Sequence, residues 1–158
     1  MIRTIAASLF ALTLIAPAVA QSSGTGGAMP SAPAAPKITD GTKLFEDFGG
    51  KAGLVAIMDD FMVNLLADSR TRPFFENSDQ TRIKAQLVDQ FCEILNGGCT
   101  YGGRDMVTAH QGMGVTTRDF YALVEALQKA MDKHKVPFGS QNRLLAALAP
   151  QHRDIITK

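Results

Sequence analysis

From Leu54 onward the apolar side chains of this chain return with the period of a helix and nowhere with the alternation of a strand. Leu54, Ile57, Met58, Phe61 and Leu65 form one stripe. Ile83, Leu87, Phe91 and Leu95 form a second, after a Ser78-Asp79 start signal. Phe120, Leu123, Val124, Leu127, Ala130 and Met131 form a third, behind Thr116 with Asp119 placed as in a capping box. Leu144, Leu145 and Leu148 form a fourth, opened by Ser140 and interrupted near Pro150. Between the second and third lie Asn96-Gly97-Gly98, Gly102-Gly103 and a short amphipathic segment at 105–111. The expected fold class is all-α.

Residues 1–39 do not share this pattern. Arg3 precedes an uncharged apolar run at 5–16, and Ala18-Val19-Ala20 has the small residues that a signal peptidase accepts. The run is short for a bilayer span, which takes about 20 residues. The expectation is therefore a cleaved signal at 1–20, a mature chain from Gln21 and export, most simply to a bacterial periplasm. An uncleaved N-terminal anchor is the alternative. Residues 21–39 hold three Pro, three Gly and one charge, a composition suited to a flexible tether. That leaves 40–158 as the folded domain. With 16 Lys and Arg against 15 Asp and Glu, the chain has no basic patch to attract nucleic acid or an anionic membrane. No stable membrane insertion is expected once the signal is removed.

Three histidines could carry chemistry. His134, between Lys133 and Lys135, and His152, before Arg153, are expected at solvated helix ends. His110 lies on an apolar face, four residues after Met106 and three before Met113. Such a histidine is either a hydrogen-bonded core residue or a neutral imidazole presented to a metal. No second ligand stands at zinc spacing around it, so a metal there would take most of its coordination from a cofactor. The sequence has no GxSxG, HExxH, P-loop or GxGxxG motif.

Four segments in unbroken order, LFEDFGG (44–50), DDFMVNLLADSRTRPFF (59–75), YGGRDMVTAHQGMGVT (101–116) and the final LAALAP…DII, together resemble the group I truncated haemoglobins. The resemblance spans 41–156. It implies a two-over-two helical sandwich around haem, with helices near 52–67 and 80–95 as one pair and 117–133 and 140–156 as the other. His110 then matches the proximal iron ligand and Phe75 the aromatic residue wedged against the porphyrin. Phe61, Met62, Ile83, Leu87, Phe91 and Met106 are the further pocket residues it implies. Arg82, Lys84 and Tyr101 are candidates for the haem propionates, each equally explicable as surface. Gly49-Gly50 and Gly102-Gly103 match turns of left-handed or flexible backbone. The haem is expected to be haem b, bound non-covalently, because the chain has no CxxCH.

Two departures from the family pattern bear on function. Met62 stands where a Tyr usually follows the Phe, and Ile83 and Leu87 occupy distal positions, the second of which often carries Gln. Dioxygen held at ferrous iron carries partial negative charge, and a donor to such a group is worth about 1.5–3 kcal/mol. Weaker oxygen retention and faster autoxidation follow, with carbon monoxide and nitric oxide less affected. Gln86 and Gln90 flank Leu87 and are expected to be solvated, an inward swing being the alternative. Met62 is either a flexible core filler or a sixth iron ligand.

Cys92 and Cys99 flank a Gly-rich turn. In an exported chain the favoured reading is a disulfide, with two buried thiols as the alternative. The function expected overall is reversible binding of diatomic gases: oxygen, nitric oxide or carbon monoxide. Nitric oxide dioxygenation with an unidentified reductase, peroxidase-like activity and electron transfer through Met62 are the alternatives.

Overall fold

Gly49 and Gly50 adopt φ of 75° and 64°, a left-handed turn open to glycine at low cost, and there the chain swings from its first helix into its second. The computed structural model describes residues 35–39 and 42–158. The expected signal at 1–20, the tether up to residue 34, and residues 40 and 41 lie outside the described residues. The helices are α1 (Lys43–Asp47), α2 (Gly50–Ala67), α3 (Arg72–Phe75), α4 (Gln80–Ile94), α5 (Met106–His110), α6 (Thr117–Lys133), α7 (Phe138–Leu148) and α8 (His152–Ile155). A 3-10 turn at Ala149–Gln151 joins the last two. No strand occurs among the described residues.

The first stripe, Leu54, Ile57, Met58, Phe61 and Leu65, is buried on α2 together with Met62, and α2 packs against both α4 and α6. On α6 the small side chains of Ala122, Ala126 and Ala130 are buried, and Asn64 of α2 donates from Nδ2 to the Ala126 carbonyl at 3.1 Å. Val88, Phe91, Cys92 and Ile94 of α4, Leu127 and Met131 of α6, and Leu144 of α7 complete the core. Each fully buried side chain of this size contributes about 1.5–3 kcal/mol.

The helix ends follow the sequence signals closely. Asp79 accepts the Arg82 amide at 3.0 Å and starts α4. Thr116 and Asp119 form the reciprocal capping box of α6. The last carbonyls of α2 are met from the following turn, Leu65 by the Thr71 hydroxyl at 2.7 Å and Leu66 by Arg72 Nε at 2.7 Å. The helix of the fourth stripe differs: α7 begins at Phe138, behind Pro137, and Ser140 lies within its first turn. Ser140 instead donates to Asp47 of α1 at 2.6 Å, and this hydrogen bond leads the causes that lower the Asp47 pKa. The four-residue α3 has no counterpart in the periodicity, being too short to show a stripe.

Residues 35–39, assigned by composition to the tether, lie on the domain. The Ile38 amide donates to the Ile94 carbonyl at 2.8 Å, Lys37 pairs with Glu93 at 3.0 Å, and Ala35 is buried. Single contacts hold this segment rather than a periodic face, so no pattern announces it. At the other terminus α8 packs on α5, and Thr157 exchanges two hydrogen bonds with Val115, both at 3.0 Å. No helix among the described residues is long and apolar enough to cross a membrane.

Candidate functional site

The short helix α5 is the element on which the site depends. Asp105 caps it, accepting the Thr108 amide at 2.9 Å, and this bond leads the causes that hold the Asp105 carboxyl below the usual range. His110 is its last residue and is half-buried. Its Nδ1 lies 2.8 Å from the Met106 carbonyl oxygen. A carbonyl can only accept, so Nδ1 carries a proton, and in the neutral ring Nε2 then keeps its lone pair. This is the arrangement of an imidazole ready to ligate a metal through Nε2.

The core covers the other predicted pocket residues to different extents. Phe75, Ile83 and Leu87 pack against the core yet remain half-buried, and so does Met106. Phe61, Met62 and Phe91 lie deeper, all three buried in the core itself. Gln90 is buried, 7% exposed, with Nε2 4.0 Å from the Met106 sulfur; the expectation of a solvated side chain fails for it. Gln86 is half-buried. An imidazole with one committed and one open nitrogen, in a domain that leaves several apolar side chains incompletely covered, fits a flat apolar cofactor carrying iron. Among the described residues no cluster of His, Cys, Asp and Glu could hold a metal by protein ligands alone.

The three propionate candidates separate. Lys84 is paired with Asp59 of α2 at 2.5 Å, across a groove of about 340 Å³ that Lys51, Met58, Thr81, Ala85 and Val88 also line. Thr81, Lys84, Ala85 and Val88 share one face of α4, whereas Ile83, Leu87 and Gln90 share another. Lys84 therefore belongs to the α2–α4 groove. Tyr101 gives its only hydroxyl proton to the Arg104 carbonyl at 2.8 Å, and burial raises the phenol pKa. Its ring covers Gly103, where an added Cβ would come within 2.3 Å of it, so this glycine is required for space and not for a left-handed turn. Arg82 is exposed, and its side chain forms no ion pair among the described residues.

Of the other two histidines, His134 is exposed at the end of α6, as expected, whereas His152, at the start of α8, is half-buried. His134 Nε2 lies 2.8 Å from Asp60 Oδ2, in an ion-pair position shared with Lys133. His152 stands edge-on to Phe120 with ring centroids 4.8 Å apart, and its buried Nε2 has no hydrogen-bond partner among the described residues. Cys92 and Cys99 form a disulfide, tying the end of α4 to the loop that leads to α5.

Residues that sequence reasoning missed are those that hold α5 in place: Asp105, Glu93, Val115 and Thr157. Asp105 could have been found as an Asp three residues before Thr108 at the start of an amphipathic segment. The other three act across long separations and have no local signal.

A family model described as bacterial-like globin matches residues 43–156. A group 1 truncated hemoglobin from Mycolicibacterium paratuberculosis is 31% identical over 114 residues, covering 72% of this chain and 84% of that protein. One from Tetrahymena pyriformis is 28% identical over 115 residues, covering 73% of this chain and 95% of that protein. Among solved structures, truncated hemoglobin from Tetrahymena pyriformis in its Fe(III) form superposes with a TM-score of 0.69 at 28% identity, covering 73% of this chain and 98% of that one. A Synechococcus 2/2 hemoglobin, in the cyanomet state with covalently attached heme, gives 0.67 at 28% identity over the same shares.

Proposed function

The chain belongs to the bacterial-like globin family, with the two-over-two helical fold of the group 1 truncated haemoglobins, and from that premise we propose that it binds diatomic gases at haem iron held by His110. The observation that carries the assignment of His110 is its hydrogen bond to the Met106 carbonyl, which leaves Nε2 as the free donor. When bound, ferrous haem supplies a site for oxygen, carbon monoxide or nitric oxide.

The chain's own residues do the rest. Met106 fixes the tautomer and the ring direction of His110. Phe75, Ile83, Leu87 and Met106 supply apolar surface, and Phe61, Met62 and Phe91 support it from the core. Arg82 is the cation best able to meet a propionate, since Lys84 and Tyr101 are engaged elsewhere. Met62 and Leu87 offer no hydrogen-bond donor, so gas retention depends on exclusion of water more than on a polar clamp. We place the protein in an exported compartment on the strength of residues 1–20 and the cysteine pair. N-terminal sequencing of the mature protein, expected to begin at Gln21, tests this.

Absorption spectra of the haem-loaded protein, ferric and ferrous, with and without carbon monoxide, test the assignment alongside His110→Ala. A five-coordinate ferrous spectrum that shifts with carbon monoxide and changes in the variant is the expected result. Low-spin spectra in both oxidation states that resist carbon monoxide would instead point to a second protein ligand, Met62 first, and to electron transfer. Failure to take up haem stoichiometrically would remove the reading altogether.

A further inference from the structure

Three successive residues at the end of α4 each grip a different part of the chain. Cys92 is bonded to Cys99, the Ile94 carbonyl accepts the Ile38 amide, and Glu93 does two things at once. Its Oε2 accepts the Tyr101 amide at 2.7 Å, and its Oε1 pairs with Lys37 at 3.0 Å. The Glu93 side chain is 13% exposed, so these partners replace most of its water.

From Glu93 to the histidine there is an unbroken series of short contacts. The Tyr101 amide is held by Glu93, the Tyr101 hydroxyl closes on the Arg104 carbonyl, Asp105 caps α5, and the Met106 carbonyl holds His110. The disulfide limits where the chain passes at Cys99 but leaves its direction beyond that point open. Glu93 supplies the next fixed point, two residues later, on the side of α5. Tyr101 has no other hydrogen bond to α4.

We propose that Glu93 is a positioning residue for His110: through the Tyr101 amide it fixes the loop entering α5, and through Lys37 it ties that loop to the N-terminal segment 35–39. The proposal rests on the reading of His110 as the iron ligand. Glu93 itself need not touch the cofactor.

The test compares the haem-loaded wild type with Glu93→Leu, Glu93→Gln, Lys37→Met and His110→Ala, by amide hydrogen exchange and by the iron–histidine vibrational band of the ferrous form. In Glu93→Leu, exchange in α5 should accelerate about tenfold or more, the scale of a lost hydrogen bond to a charged acceptor, while α6 keeps its wild-type rates. The iron–histidine band should shift or broaden. Glu93→Gln should return both to about the level of Lys37→Met, because its amide oxygen can accept from Tyr101 but its NH2 cannot pair with Lys37. Lys37→Met should move both in the direction of Glu93→Leu by a smaller amount. Wild-type α5 exchange and an unmoved band in Glu93→Leu would overturn the proposal, as would acceleration spread evenly over all helices. So would an unprotected Tyr101 amide in the wild-type protein, a measurement that needs no variant. Persistence of the band in His110→Ala would overturn the ligand reading and with it the purpose assigned to Glu93, even where α5 exchange responds.

Discussion

His110 Nδ1 and the Met106 carbonyl oxygen, four residues apart on α5, are 2.8 Å from each other, and this hydrogen bond decides which imidazole nitrogen is available. The donated proton makes the ring a better electron donor at Nε2 and removes one rotational freedom. Because α5 has only five residues, the orientation of the histidine depends on what holds the helix at each end. Asp105 and the loop behind it hold the start, while α8 and the Val115–Thr157 pair hold the far side.

The cap at Asp105 should therefore matter to the cofactor. Asp105→Ala leaves the Thr108 amide without its acceptor, and loss of a cap raises local opening by about fivefold. Haem dissociation should speed up by a similar factor, with global stability less affected; transfer of haem to an excess acceptor globin measures it. Asp105→Asn keeps an acceptor oxygen and should stay near the wild-type rate. Equal rates in the Ala and Asn variants would mean that the cap does not govern α5.

In the proposed gas-binding reading, Leu87 offers the cleanest change on the distal side. It is half-buried on the α4 face that also carries Ile83, and Leu87→Gln would place an amide donor there. Oxygen dissociation should slow by about 10–100-fold, the range for a hydrogen bond to a charged group, and autoxidation should slow with it. Carbon monoxide dissociation should change much less. Stopped-flow displacement of both gases separates the cases, since equal slowing of the two would indicate a steric barrier rather than a donor.

The disulfide closes a short loop between the end of α4 and the approach to α5. In the chain-entropy model a closure of this length contributes about 2–3 kcal/mol. The double variant Cys92→Ala/Cys99→Ala should melt roughly 10 °C lower, and a dithiol reductant should bring the wild type down to match it. A reductant effect that persists in the double variant would show that the bridge is not its target.

The four stripes, the Thr116–Asp119 box, the Asp79 start and the break at Pro150 were all legible because each is a local signal, readable within a turn or two. Spacing leaves His110 open between a hydrogen-bonded core residue and a metal ligand, and the resemblance decides for the ligand. What stayed hidden depends on which distant segment returns to which surface. Gln90 and Gln86 have the same side chain, yet only Gln90 is buried, because it follows Ile83 and Leu87 around α4. Lys84, one residue and 100° away from Ile83, faces Asp59 instead. Glu93 and Tyr101 meet only because the chain reverses at 96–98, and His152 rests on Phe120 through the packing of separate helices.

Acid should expose the carboxylates that the fold holds ionised. Asp68 is lowered to about 2, first by the Arg70 side chain and then by the Arg70 backbone amide. Asp60 is lowered chiefly by Lys133, Glu93 by the Tyr101 amide and Asp119 by the Thr116 hydroxyl. A group whose pKa is lower when folded adds stability above its unfolded value, near 4, and loses it as the pH falls toward the folded value. Thermal stability should thus be insensitive to these groups between pH 5 and 7, in about the range where all are charged in both states, and should fall between about 4 and 2. Asp68→Asn isolates one of them, since acid release of haem is common to variant and wild type. The variant should be the less stable at pH 6, and the gap should close as the pH drops through the same window. Added salt should narrow the pH 6 gap by screening the partly exposed Asp68–Arg70–Glu125 cluster, while leaving the part due to the Arg70 amide. A gap that stayed constant from pH 6 to pH 2 would mean that the carboxylate's charge is not what Arg70 stabilises.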